Sequence, residues 1–236
     1  MFKVVWIARF PEGMAGADAR RHWAETHGPL CASSSIPQYV QNHVTGPLPS
    51  LAGVPDDETH FGGYSCGWWP DEEAFRETMA SKEWLALVDD GVNCFDMPWT
   101  DSMSAQVVEH TIVEGPSSPY KVAWVVKFKE GLDRDEARTY WRETHGPIVA
   151  DVGIDRYVQN HAVKSVGGDG NGSAPLLFDG FSECWFRDEQ AFLDALATPE
   201  WDRLREDGDE VFDMSLMWGA ALHERVVKQP AVPITA

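Results

Sequence analysis

The chain carries one unit written twice, and that limits its fold more than any other feature. Lys3–His43 aligns with Lys121–His161 at a constant offset of 118 residues, without a gap. About half of the aligned positions are identical. The match resumes after a loop at an offset of 117, where Gly62–Phe75 answers Asp179–Phe192. Ser81–Trp84 then answers Thr198–Trp201, and Cys94–Met97 answers Val211–Met214. The repeat predicts units at 1–113 and 120–227, a linker at 114–119 and a Pro-rich tail at 228–236. Two copies are too few for a solenoid. A layer of helices over a sheet leaves the other face of that sheet bare, and a second copy can cover it.

Each unit reads β-α-β-β-α-β, the ferredoxin-like plan, so the expected class is α+β. Lys3–Phe10 and Lys121–Phe128 are apolar, β-branched strands that end at Glu-Gly turns. Asp18–Thr26 and Asp135–Thr144 carry helix formers, and the Gly-Pro pairs at 28–29 and 146–147 are expected to kink or punctuate these helices. Gln38–Val44 with Arg156–Val163, and Phe61–Trp69 with Phe178–Phe186, are the next strands. Asp71 and Asp188 are expected N-caps of the following helices. Further helices pass through Trp84–Val88 and Trp201–Leu204, and last strands lie near Ala105–Val113 and Ala220–Val227.

Composition narrows the function classes. A hydrophobic content of 43% excludes a disordered chain. No apolar run approaches the roughly 20 residues of a membrane span. The net charge of −19 makes nucleic acid and anionic membranes poor partners, and the rich aromatic supply suits a hydrophobic small molecule. The four cysteines, Cys31, Cys66, Cys94 and Cys184, form no C-x-x-C pair. The N-terminus lacks the pattern of a secretory signal, so a cytoplasmic location is expected.

The candidate chemistry lies in polar residues repeated within apolar surroundings. His27 and His145 follow Glu-Thr and precede Gly-Pro. At a helix end each is either a titrating group poised near neutrality or a cap on the last carbonyls. On the second strand the period of two puts Tyr39, Gln41 and His43 on one face and Asn42 on the other; Tyr157, Gln159, His161 and Asn160 repeat this. His27 with His43, and His145 with His161, are therefore expected to converge between helix and sheet as acid–base pairs. Trp23, Trp68, Trp141 and Trp185 supply aromatic walls suited to a flat ring. Asp96 and Asp213 either orient a histidine or, more simply, close a turn. No metal-ligand spacing and no nucleotide or phosphate motif occurs, so neither a metal nor a cofactor is expected. Gly167–Gly172 reads as a mobile connection or a lid.

Residues 141–148, Trp-Arg-Glu-Thr-His-Gly-Pro-Ile, together with Tyr157 and Asp179–Phe186, resemble the EthD family of the dimeric α+β barrel superfamily. The resemblance covers both units and implies that they pair sheet to sheet into a barrel within one chain, either as a monomer with an internal pseudo-dimer or as a higher homo-oligomer. It implies a cofactor-independent lyase or isomerase, of dehydratase or decarboxylase type, acting on an oxygenated aromatic or polycyclic compound. His27 and His145 take the acid–base role in such members. A cofactor-free oxygenase, a haem binder and a non-catalytic carrier remain alternatives. Cys66 stands where the second unit has Glu183, the acid that the family pattern favours. The two sites are therefore expected to differ, with the second unit favoured.

Overall fold

The computed structural model describes residues 1–48, 61–167 and 174–229. The Gly-rich segment expected to be a lid, and most of the tail, lie largely outside the described residues. The first half runs β1 (Phe2–Arg9), α1 (Gly16–His22), a π-helical turn (Trp23–His27), α2 (Gly28–Ser33), β2 (Gln38–Pro47), β3 (Phe61–Trp69), α3 (Glu72–Met79), α4 (Lys82–Gly91), α5 (Met97–Ser102) and β4 (Ser104–Val113). The second half repeats it with β5 (Tyr120–Val126), α6 (Arg134–Tyr140), a π turn (Trp141–His145), α7 (Gly146–Val149), β6 (Arg156–Ser165), β7 (Gly180–Phe186), α8 (Glu189–Leu196), α9 (Pro199–Val211) and β8 (Trp218–Lys228).

The eight strands close into an antiparallel barrel in the order β1-β3-β2-β8-β5-β7-β6-β4. Each half supplies a four-stranded ferredoxin-like sheet, and the seams β2–β8 and β4–β6 join one half to the other. Closure satisfies the edge strands that either sheet alone would expose. Asp71 and Asp188 cap α3 and α8 as expected, each accepting a backbone N–H from the third residue on.

The Gly-Pro pairs do not end the first helix. In each half the α-helix widens into one π turn and then continues through the proline. Pro29 and Pro147 have no N–H for the carbonyl four residues back, and their rings crowd it; the wider turn relieves both problems. The histidines therefore lie within a helix rather than at its C-terminus, which corrects the capping alternative.

Alternation along the strands separates two interiors. One side of the sheet faces the helices. The other faces the barrel lumen, filled at one end by residues such as Val5, Ile7, Tyr64, Phe181 and Leu222. The remaining lumen holds a buried polar network. Lys121 Nζ lies 2.5 Å from Glu183 Oε1 and donates to Asn42 Oδ1 and Glu224. Lys3 donates to Asn160 Oδ1 and Glu109, with Glu183 Oε2 at 4.0 Å. Tyr64 and Asn160 also donate to the Glu183 carboxylate. A single buried acid thus serves lysines from both halves.

Burial by itself would push the Glu183 carboxyl up, but Lys121 and Lys3 outweigh it and hold it down at about 2. A depressed carboxyl stabilises the fold above its unfolded value, and that stabilisation is lost as pH falls from about 4.5 towards 2. Glu183→Ala strands two buried ammonium groups and is expected to cost about 3–5 kcal/mol in denaturant unfolding. Wild type should lose stability across the same acid window, and Glu183→Gln should flatten that part of the pH profile.

Candidate active site

Two cavities lie between helices and sheet, one in each half. The first is lined by His27, Cys31, Tyr39, Ser65, Trp84 and Phe95 among others. The second is lined by their counterparts His145, Val149, Tyr157, Ser182, Trp201 and Phe212. The cavity volumes are about 790 Å³ and about 80 Å³. Ring-sized ligands generally occupy sites of roughly 300–1,000 Å³, which only the first approaches. In the first half α5 carries Thr100 and Asp101 along the cavity rim. The corresponding segment of the second half is a turn that brings Met214 and Met217 against the smaller space. Trp124, Phe192 and Trp201 cluster beside it, with ring centroids 5.9–6.3 Å apart.

Each helix histidine is gripped from two directions. His27 Nδ1 lies 2.9 Å from Asp90 Oδ2, and the Phe95 ring meets the imidazole edge to face. His145 Nδ1 lies 2.7 Å from Asp207 Oδ2, with Phe212 in the equivalent place. The second carboxylate oxygen is held as well, at 3.0 Å from His22 Nε2 in one half and 2.8 Å from the Tyr140 hydroxyl in the other. A carboxylate on Nδ1 fixes the tautomer that carries its proton there and leaves Nε2 as the basic nitrogen. Burial lowers both imidazoles below the ordinary value, while the Asp90 and Asp207 carboxylates pull the other way. Asp90 is itself pushed up by burial, but its bonds to His27 and His22 bring it below the usual carboxylate range.

The acids Asp90 and Asp207 escaped the sequence reading, although a signal was present. Asp90-Gly91 and Asp207-Gly208 recur at the same offset of 117. A β-carbon at Gly208 would stand 3.3 Å from His145 Cε1, so the glycine makes room for the imidazole. Asp96 and Asp213 take the simpler of their two expected roles. Asp96 caps α5 and pairs with Arg9, and Asp213 accepts from Ser215.

The expected pairing of two histidines does not form. His43 packs against Trp23 and bonds Gln41, and His161 stacks on Trp141 at 4.4 Å and bonds Gln159. Neither lines either of these two cavities, and each lies against the indole of its own first helix. Burial pushes His43 down to about 4 and His161 to about 3, so both are neutral at ordinary pH.

Strand alternation also divides the other candidates. Tyr39 and Tyr157 line the cavities, as does Trp141; Trp23 is core beneath the first helix. Asn42, Asn160, Glu183, Trp68 and Trp185 face the lumen, where Lys3 lies over Trp68 and Lys121 over Trp185. Glu183 does not line the second cavity; Ser182 and Cys184, its neighbours on β7, are the residues that face it. The reason for expecting the second half to be favoured, an acid in its pocket, therefore does not hold. Ser65 and Ser182, missed in the sequence, share the sheet floor with the tyrosines. Among the described residues, no group of three His, Cys, Asp or Glu side chains could hold a metal ion, and no helix is long and apolar enough to cross a membrane.

Residues 129–215 match the model of the EthD domain. The match lies within the second half of the chain. The fold of the whole chain is that of several solved structures. An anthrone oxidase-like protein aligns over 98% of this chain and 95% of its own, at 14% identity and a TM-score of 0.57. A monooxygenase-like protein from Lactobacillus acidophilus aligns over 98% and 97%, at 12% identity and a TM-score of 0.51. No curated protein matches the sequence significantly.

The Asp90 carboxylate supports the charged form of His27. Asp90→Asn is therefore expected to lower the His27 titration midpoint further and to mix its two neutral tautomers, as read by ¹⁵N NMR of the ring. The His145 signals should not move.

Proposed function

We propose that the chain is a small-molecule enzyme in which His27, oriented by Asp90, is the general base of the first cavity. The observation that carries this reading is a buried, carboxylate-held imidazole lining an apolar space large enough for a fused ring. The substrate is a hydrophobic, oxygenated ring compound. His27 Nε2 removes a proton next to a carbonyl. Tyr39 and Ser65, on the sheet side of the same cavity, donate hydrogen bonds to the oxygen on which charge develops. Burial raises the Tyr39 hydroxyl well above its ordinary value, so it stays protonated and able to donate. Burial also pushes the Cys31 thiol up to about 12, which removes it as a nucleophile. Loss of a leaving group from the resulting enolate completes a lyase reaction, and reprotonation elsewhere completes an isomerisation.

An oxygenase reading uses the same base on a phenol, with dioxygen as co-substrate. Likeness in fold to a monooxygenase-like and an anthrone oxidase-like protein supports this second reading. Turnover that persists under argon supports the lyase or isomerase reaction, and turnover that stops supports the oxygenase.

Positioned proton transfer contributes typically 10²–10⁴-fold. His27→Ala is expected to lower kcat by about that factor while the circular dichroism spectrum is unchanged, and His145→Ala should retain most activity. Full activity in a folded His27→Ala protein contradicts the proposal.

A further inference from the structure

We infer that Arg225, on the last strand of the second half, is a positioning residue that holds the π turn carrying His27. This deepens the reading of His27 as the base, but it rests on backbone bonding that is independent of turnover.

The carbonyl of Ala24 has no donor within its own helix. In an α-helix it would accept from the N–H of residue 28. Here the Gly28 N–H reaches back instead to Trp23. In a continued π turn the donor would be residue 29, but that residue is Pro29 and has no N–H. A buried or half-buried carbonyl without a partner is costly. The Arg225 guanidinium fills the vacancy, with Nη1 at 2.6 Å from Ala24 O. The same nitrogen lies 3.2 Å from Gln41 Oε1, and Gln41 Nε2 in turn donates to the Trp23 carbonyl at 3.0 Å. Two carbonyls of the turn are thus fixed from the sheet, one of them across the seam between the halves.

Gly28 fits the same arrangement. A β-carbon at that position would lie 2.9 Å from Arg225 Nη1 and 3.0 Å from Gln41 Nε2. The Gly of His-Gly-Pro leaves the turn open to the sheet, and the Pro creates the carbonyl that needs capping.

Among the described residues, no arginine takes this place in the second half. Arg225 stands opposite Gln41 on β2, and the residue opposite Gln159 on β6 is His110. His110 packs edge to face on His161 with centroids 4.7 Å apart. Gln159 still donates to the Trp141 carbonyl, so only the arginine half of the brace differs. The half with the larger cavity is the half with the braced turn.

The test is an Arg225→Met variant of the full chain, read by NMR. Native His27 should show a single Nδ1-protonated tautomer. In the variant the ring signals should report mixed tautomers and a midpoint moved up towards that of an exposed imidazole, and the Gly28 amide should exchange about tenfold faster. His145 should be unaffected, and Arg225→Lys, which keeps a charged donor, should restore part of the native behaviour. A folded Arg225→Met protein with native His27 tautomer and Gly28 protection overturns the inference. So does an equal change at His145 on His110→Ala, because any seam substitution would then have the effect. If Arg225→Met does not fold, Arg225→Leu, which likewise removes the donor, carries the same expectations and the same overturning result. None of these readouts uses substrate. An inactive role for His27 would therefore show in the turnover of His27→Ala alone and leave this result standing.

Discussion

Closure of the barrel is the constraint on which the rest of the structure depends. A four-stranded ferredoxin-like sheet exposes two strand edges and one apolar face. Here the second strand of each half pairs with the last strand of the other, so both seams cross between halves. Cross-pairing brings Lys3 and Lys121 into one lumen, where each reaches an asparagine of the opposite half. A symmetric pair of identical subunits would repeat every lumen residue twice. Fusion into one chain frees the copies to diverge, and a single Glu183 opposite Cys66 is what this freedom permits.

The same freedom separates the two helix–sheet cavities. Both retain an imidazole gripped by a carboxylate, a tyrosine and a serine on the sheet, and a phenylalanine against the histidine. They differ in what crowds the space and in what steadies the helix. Both are lined by an equivalent methionine and two equivalent indoles, but the second also takes in Met217 and Trp141 and is the smaller. The first half keeps its cavity open and adds an arginine across the seam. Retention of a His–Asp pair in a cavity too small for a ring is consistent with a packing role for that copy.

Much of the architecture was legible in the repeat, because strand and helix periods are local properties. The βαββαβ order, the N-caps Asp71 and Asp188 and the two-faced second strand all follow from neighbours in sequence. The candidate site was legible only in part. His27, His145, Tyr39 and Tyr157 were found because they recur in apolar surroundings. Asp90 and Asp207 were missed because they look like ordinary charged residues on a solvated helix. Glu183 and the strand histidines were misplaced for a different reason. Alternation says that two residues share a face, but not which of two interiors that face meets or which large side chain stands between them. Arg225 was out of reach, since its role depends on a seam that no local pattern encodes.

The most direct test is a crystal soaked with 1-naphthol, a fused ring with one oxygen. The account predicts density in the first cavity, between Trp84 and the sheet, with the hydroxyl within hydrogen-bond distance of His27 Nε2 and the second cavity empty. Naphthol bound only in the second cavity, or in the first with its oxygen turned away from His27, would contradict it.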